Sequence, residues 1–299
     1  MRIGRHLSTG PGARQTFERA RTIGCDTLQI FVTNPKGWAP PAQNPALEES
    51  FTAAVKEFAM PLVVHAAYLI NLPSAKDYVG ANSITLLRAT LERASRFGAS
   101  YVVVHTGSHT GLGDELGLER LIAGVRASLE GAPEDVTLLL ENDTGGGGKL
   151  GHSFEHLARV LDAVGQPASR LGVCLDTAHL WGAGVDIGTD EGVVSLMGEL
   201  NRTFGADRVP VLHLNDSKAL LASHRDLHER LDEGNIPREG LRAILRQPAF
   251  AGALTLLETP FYETAPDQID WAAEGAQIAR AREMAGLPDA VPDALPDAG

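Results

Sequence analysis

Leu171–His179, LGVCLDTAH, decides the fold. Its first half, Gly172-Val173-Cys174-Leu175, is short, apolar and uncharged, as a strand covered on both faces is. It then delivers Asp176 and, three residues on, His179. The same grammar recurs along the chain: VVVHTGSH carries His105, LLLEN Glu141, VLHLND His213 and LTLLET Glu258. A packing core has no use for a carboxylate or imidazole at the end of strand after strand. A metal site at one end of a parallel sheet does.

Working outward, hydrophobic period predicts eight strand–helix units. Strands are expected at Arg2–Leu7, Thr27–Thr33, Pro61–Ala66, Tyr101–Thr106, Thr137–Asn142, Leu171–Thr177, Val209–Asn215 and Leu254–Thr259. Helices are expected near Ala13–Ile23, up to Ala59, and at Ala81–Gly98, Glu115–Glu130, Phe154–Val164, Thr189–Phe204, Arg238–Gln247 and Pro266–Met284, with Ser153 as the N-cap of the fifth. Eight units close a (β/α)₈ TIM barrel, an α/β fold in which one domain spans residues 1–286. A doubly wound open sheet is the alternative, but its Gly-rich phosphate fingerprint is missing. Residues 287–299 repeat PDA three times, show no periodicity and are expected to be a disordered Pro/Asp/Ala-rich tail.

The bulk properties set bounds. With 299 residues and 43% apolar content, a sizeable core is within reach. No apolar run approaches the ~20 residues that cross a bilayer, and MRIGRHLSTGPG has no hydrophobic signal segment. Cys25 and Cys174 form no CxxC pattern or disulfide framework, so a reducing cytoplasm is the expected compartment, with no membrane partner. A net charge of −12 argues against coating nucleic acid by bulk electrostatics. Four of the negative charges, however, are the candidate ligands Glu141, Asp176, Asp226 and Glu258, which bound divalent ions would offset.

Side chains alternate across a strand, so residues of one parity share the barrel interior. Val63 and His65 share one parity, as do Tyr101, Val103 and His105; Thr137, Leu139 and Glu141; Val209, Val211 and His213; and Leu254, Leu256 and Glu258. Each series has mostly apolar layers below and one ligand on top, where TIM barrels place their functional groups. The loop Asp216–Gly234 adds Asp226-Leu227-His228, a D-x-H pair with both side chains on one face. The full set is His65, His105, Glu141, Asp176, His179, His213, Asp226, His228 and Glu258. Imidazole with carboxylate suits zinc, with manganese or iron less suited, and the set is too large for one tetrahedral ion.

Taken singly, each histidine reads better as a core or loop residue, Asp176 as a helix cap and Glu258 as an ion-pair partner. Taken together they do not, because so many unneutralised charges at one mouth are costly without metal. His6, His109, His152, His156 and His224 are weaker candidates. His109 suits the surroundings of the site, whereas His152 and His156 suit a solvated helix face. Gly145–Gly148 reads as flexible backbone beside the site, since no GK[ST] follows. Asn142 is a candidate orienter of the ligands.

The segments HAAYLINL, VVVHTGSH, LLLEN, GVCLDTAH, VLHLNDSK, DLHERLDEGNI and LLETP, with GRHLSTGPG and NPKGW, run in an order that resembles endonuclease IV, the zinc-dependent apurinic/apyrimidinic endonucleases. The resemblance implies three zinc ions per chain, manganese being an alternative at one position. His65 and His105 would hold the first ion, with Glu141 bridging to a second. Asp176, His213 and Glu258 would complete the second, while His179, Asp226 and His228 would hold the third. Glu141, Glu258, His105 and Asp176 are expected to be catalytic. The implied reaction is hydrolysis of the phosphodiester 5′ to an abasic site in double-stranded DNA, leaving a 3′-hydroxyl and a 5′-deoxyribose phosphate. A monomer is expected.

DNA contacts are implied at Lys36, where the family more usually has Arg, and at Tyr68 and Leu69. Other departures are Arg5, which replaces a small residue and is expected near the mouth, Glu229 for a second His, Asp232 for Gly, and DTGGGGKLG for the commoner TAGQG form. None removes a ligand. A sugar isomerase or epimerase on the related barrel is the competing reading, with one metal held by Glu141, Asp176, His213 and Glu258. A catalytically idle damage-binding protein is a third, and would have shed ligands that this chain keeps.

Overall fold

The structure, a computed structural model, describes residues 1–266 and 268–288. Eight parallel strands close a barrel: β1 (Arg2–His6), β2 (Thr27–Phe31), β3 (Leu62–His65), β4 (Tyr101–His105), β5 (Thr137–Glu141), β6 (Leu171–Asp176), β7 (Val211–His213) and β8 (Leu254–Leu257). Each pairs with the next, and β8 returns to β1. The outer layer consists of α1 (Ala13–Thr22), α2 (Pro45–Phe58), α3 (Asp77–Arg96), α4 (Asp114–Leu129), α5 (Phe154–Val164), α6 (Thr177–Ala183), α7 (Asp190–Thr203), α8 (Arg238–Leu245) and α9 (Trp271–Ala285). The expected single TIM barrel is what forms.

Alternation builds two separate cores. Val63, Val103, Leu139, Cys174, Val211, Leu254 and Leu256 fill the barrel interior, with Tyr101 packed against them. Apart from Cys174, these are residues whose parity put them beneath the ligand positions; Val209, grouped with them by parity, joins the outer core instead, because β7 begins only at Val211. The opposite parity faces the helices, where Ile3, Leu28, Leu62, Val102, Leu138 and Val173 join the larger apolar layer. Register sets the ligands at matching heights. His105 lies opposite Glu141, and Asp176 opposite His213. His213 pairs with Leu256, so Glu258 stands two residues higher, at the mouth.

The differences from expectation lie above the strands. Asp176 ends β6 and its carboxylate accepts from the His179 amide at 2.9 Å, capping α6, a short helix absent from the sequence reading. The loop between β7 and α8 contains a two-residue hairpin, Asp216–Ser217 against His228–Glu229. The last helix begins at Trp271, capped by Asp270, rather than at Pro266. The preceding segment instead pairs Glu263–Ala265 with Gln268–Ile269. Ser153 caps α5 as expected. Of the expected tail, Leu287 packs against the core and the Pro288 carbonyl accepts from Arg282 Nε at 2.9 Å. Residues 289–299 lie outside the described residues.

Candidate metal centre

All nine sequence-derived ligand candidates converge on the C-terminal mouth of the barrel. Three groups have donor atoms close enough to share an ion: His65, His105 and Glu141; Glu141, Asp176, His213 and Glu258; and Asp176, His179 and His228. Asp226 joins the last, with its two oxygens 3.2 Å from His179 Nε2 and 3.2 Å from His228 Nε2. Glu141, fully buried, stands at the centre. Its Oε2 lies 3.4 Å from Nε2 of both His65 and His105, and its Oε1 lies 2.9 Å from His213 Nδ1. Two oxygens serving different imidazoles give one carboxylate the reach to bridge two ions.

The tautomers point the same way. His65 Nδ1 donates to the Ala66 carbonyl at 2.7 Å, and His179 Nδ1 to the Asn142 carbonyl at 2.8 Å. Each leaves an Nε2 lone pair aimed at carboxylate oxygens, as metal-binding histidines do. Nε2 of His179 and of His228 are buried with no hydrogen-bond partner. Lone pair against carboxylate is repulsive unless a cation or proton lies between, so the donor set fits divalent metal. The proton equilibria reflect that deficit. Burial opposes charging His179, yet Asp176, Asp226 and Glu141 raise it well above its usual 6.5. Burial likewise would push the Glu141 carboxyl up, but His105 and His213 hold it well below 4.5.

Neighbouring groups fix the ligands. Asn142 accepts from the Asp176 amide at 2.7 Å and donates to its carbonyl, as an orienter should. Asn215 Nδ2 donates to Asp176 Oδ2 at 2.6 Å. Asp143 Oδ2 lies 3.6 Å from His105 Nδ1.

Two residues outside the nine sequence-derived ligand candidates belong here. Gln29 donates to Glu258 Oε1 at 2.6 Å and accepts from His213 Nε2 at 3.0 Å. His6, treated as a weak candidate, has Nδ1 3.1 Å from Gln29 Nε2, and burial lowers its pKa to about 3. The available signal was a lone amide inside the apolar strand TLQIF.

A cavity of about 460 Å³ opens over the cluster, lined among others by Tyr68, Asn71, Lys149, Asp226 and Glu258. Lys149 is the sole lysine or arginine among its lining residues. Tyr68 is 58% exposed and leans on Phe31 and His65, with Leu69 half-buried beside it in the same turn. The Tyr68 amide donates to the Pro35 carbonyl at 3.1 Å, tying that turn to the loop that exposes Lys36.

One expectation is corrected. Arg5 does not reach the mouth. Alternation in β1 turns it outward, where it is buried, ion-paired with Glu274 and stacked 4.0 Å over Phe261. Backbone geometry favours glycine in the run: a Cβ on Gly146 would sit 2.3 Å from the His224 carbonyl oxygen, and Gly145, Gly147 and Gly148 adopt positive φ. His109 orients a loop, its Nδ1 accepting from the amides of Gly111 and Gly113. His152 and His156 are half-buried, with rings 4.7 Å apart. Of the other departures, Glu229 pairs with Lys218 at 3.2 Å. Asp232 adopts φ 69°, the region glycine favours, and is held by Arg238 and Arg280.

Fold and site together define a xylose isomerase-like TIM barrel with clusters of candidate metal ligands at its mouth, and the family model described as a xylose isomerase-like TIM barrel matches residues 17–282. The chain is 38% identical to "Probable endonuclease 4" of Methanoculleus marisnigri, over 95% of this chain and 99% of that one. It is 39% identical to the protein of the same name from Natranaerobius thermophilus, over 90% and 95%. The crystal structure of endonuclease IV from Thermus thermophilus superposes with a TM-score of 0.81 at 35% identity, covering 95% and 98%. The chain belongs to the endonuclease IV family and is a nuclease of the hydrolase class. Among the described residues no helix is long and apolar enough to cross a membrane.

Proposed function

We propose that the chain is a DNA-repair endonuclease that hydrolyses the phosphodiester 5′ to abasic sites in double-stranded DNA, leaving a 3′-hydroxyl and a 5′-deoxyribose phosphate. The observation that carries this reading is the convergence of nine ligand groups in three overlapping clusters, sharing Glu141 and Asp176. His65, His105 and Glu141 would hold one ion; Glu141, Asp176, His213 and Glu258 a second; His179, Asp226 and His228 a third. Zinc suits the donors best. When bound, such ions activate water and neutralise charge on the phosphoryl and leaving oxygens.

The chain's own groups do the rest. Glu258, more open to the cavity than Glu141, presents Oε2 at the rim of the cluster, 3.1 Å from His213 Nδ1. Lys149, ion-paired with Asp143 at 3.1 Å, is the cation of the cavity wall nearest to hand for a substrate phosphate. Tyr68 and Leu69 form a surface on which an opened base stack can rest, with Lys36 on the neighbouring loop as a backbone contact. The cavity suits a single extruded sugar-phosphate. A cytoplasmic monomer completes the reading, consistent with the free, buried Cys25 and Cys174.

A mononuclear sugar isomerase needs Glu141, Asp176, His213 and Glu258, and leaves His65, His105, His179, Asp226 and His228 without a task. Elemental analysis of metal-replete protein separates the two. About three zinc per chain is expected for a trinuclear centre, and one tightly held manganese would turn the assignment to the isomerase.

A further inference from the structure

The floor of the cluster contains a group with a defined task toward it. We propose that Gln29 is a positioning residue that holds Glu258 and His213 in their metal-ready geometry; this rests on the metal-centre reading given above.

Gln29 is fully buried in β2, on the barrel-facing side opposite Val63. Its side-chain amide is completely committed. One N–H donates to Glu258 Oε1 at 2.6 Å, and the amide nitrogen lies 3.1 Å from His6 Nδ1. The amide oxygen lies 3.0 Å from His213 Nε2. Only this orientation works, because a carboxylate oxygen can accept but not donate, so the nitrogen must face Glu258. The oxygen then faces His213, which must carry its proton on Nε2. That leaves the Nδ1 lone pair pointing at Glu141 Oε1, 2.9 Å away, and Glu258 Oε2, 3.1 Å away.

His213 is therefore set opposite to its neighbours. His65 and His179 use backbone carbonyls to fix Nδ1–H and present Nε2. His213, from the far side of the barrel, presents Nδ1, and Gln29 is the partner that dictates it. One amide thus sets the tautomer of one ligand and the rotamer of another. Partners of metal ligands typically change affinity by ~10–100-fold when removed.

The Gln29→Met variant keeps the side-chain volume and removes the hydrogen bonds. Two measurements test it. In zinc-loaded protein, ¹⁵N spectra of the His213 imidazole should show the remaining proton on Nε2 in the unsubstituted chain and lose that preference in the variant. In chelator competition with zinc alone, the variant should lose one class of bound ion at ~10–100-fold lower chelator than the unsubstituted chain, with the other ions retained. A zinc-loaded unsubstituted chain whose His213 carries its proton on Nδ1, or identical zinc retention in the folded variant, would overturn the proposal. The tautomer measurement needs no variant, so misfolding of Gln29→Met leaves the proposal open to refutation. An unsubstituted chain that holds no zinc would sink the metal-centre reading itself, and Gln29's role with it, whereas normal zinc binding with an indifferent variant would sink only the role of Gln29.

Discussion

Glu141 faces His65 and His105 with one oxygen and His213 with the other, and this concentration of charge has a measurable consequence without metal. His179 and His213 have pKa values well above the usual 6.5, because the surrounding carboxylates outweigh burial: Asp176, Asp226 and Glu141 for His179, and Glu258 and Glu141 for His213. A pKa raised on folding contributes stability that is fully present below the unfolded value and is lost as pH rises through the folded one. Glu141, lowered from 4.5, contributes stability above that value and loses it in acid. The metal-free chain should therefore lose thermal stability as pH rises beyond about 6.5, and zinc should restore it. A metal-free Tm that climbs with pH across that window would contradict the compensation. Glu258→Gln should reduce turnover by more than ~100-fold, the scale for losing one group that stabilises transition-state charge, while leaving the circular dichroism spectrum intact. Unchanged turnover would show that Glu258 is misassigned.

At the scale of elements, the turn after β6 joins structure to chemistry. Asp176 caps α6 with Oδ1, while Oδ2 lies 3.5 Å from His228 Nε2 and 3.9 Å from His213 Nδ1. Asn is as good a cap as Asp, so Asp176→Asn should keep α6 capped, lose the metal-free stability that the Asp176 charge lends to His179, and lower zinc content. Ser153→Ala removes a cap from α5, away from the ligand clusters, and should cost about 1 kcal/mol with zinc content unchanged. Chemical denaturation with parallel metal analysis reads both, and Asp176→Asn with full zinc would refute the ligand role. The strands and their parity were legible in LGVCLDTAH and its relatives because buried parallel strands are apolar runs ending in a chemical switch. What sits above them was not. The α6 cap was signalled by Asp176 and Gly184, but Asp176 also fitted a bare ligand. Gln29 stayed hidden because an isolated amide in a strand has no fixed meaning until the barrel closes against Glu258. Arg5 was misplaced because proximity to the mouth in sequence says nothing about which face of β1 it occupies.

The whole molecule carries a net charge of −12 and must still accept a polyanion. On the proposed function, metal charge at the mouth, Lys149 in the cavity wall and Lys36 on the adjoining loop would be the local answer to that net negative charge. The closed barrel makes that answer possible, since ligands delivered by β3, β4, β5, β6, β7 and the segment after β8 meet only when the sheet returns on itself. The most direct measurement uses zinc-loaded protein and a duplex containing one tetrahydrofuran abasic analogue. A single nick is expected immediately 5′ to the analogue, leaving a 3′-hydroxyl that a polymerase extends, with no cut in the undamaged duplex and loss of cleavage on chelation. Failure of the fully zinc-loaded protein to nick the abasic duplex would contradict the assignment.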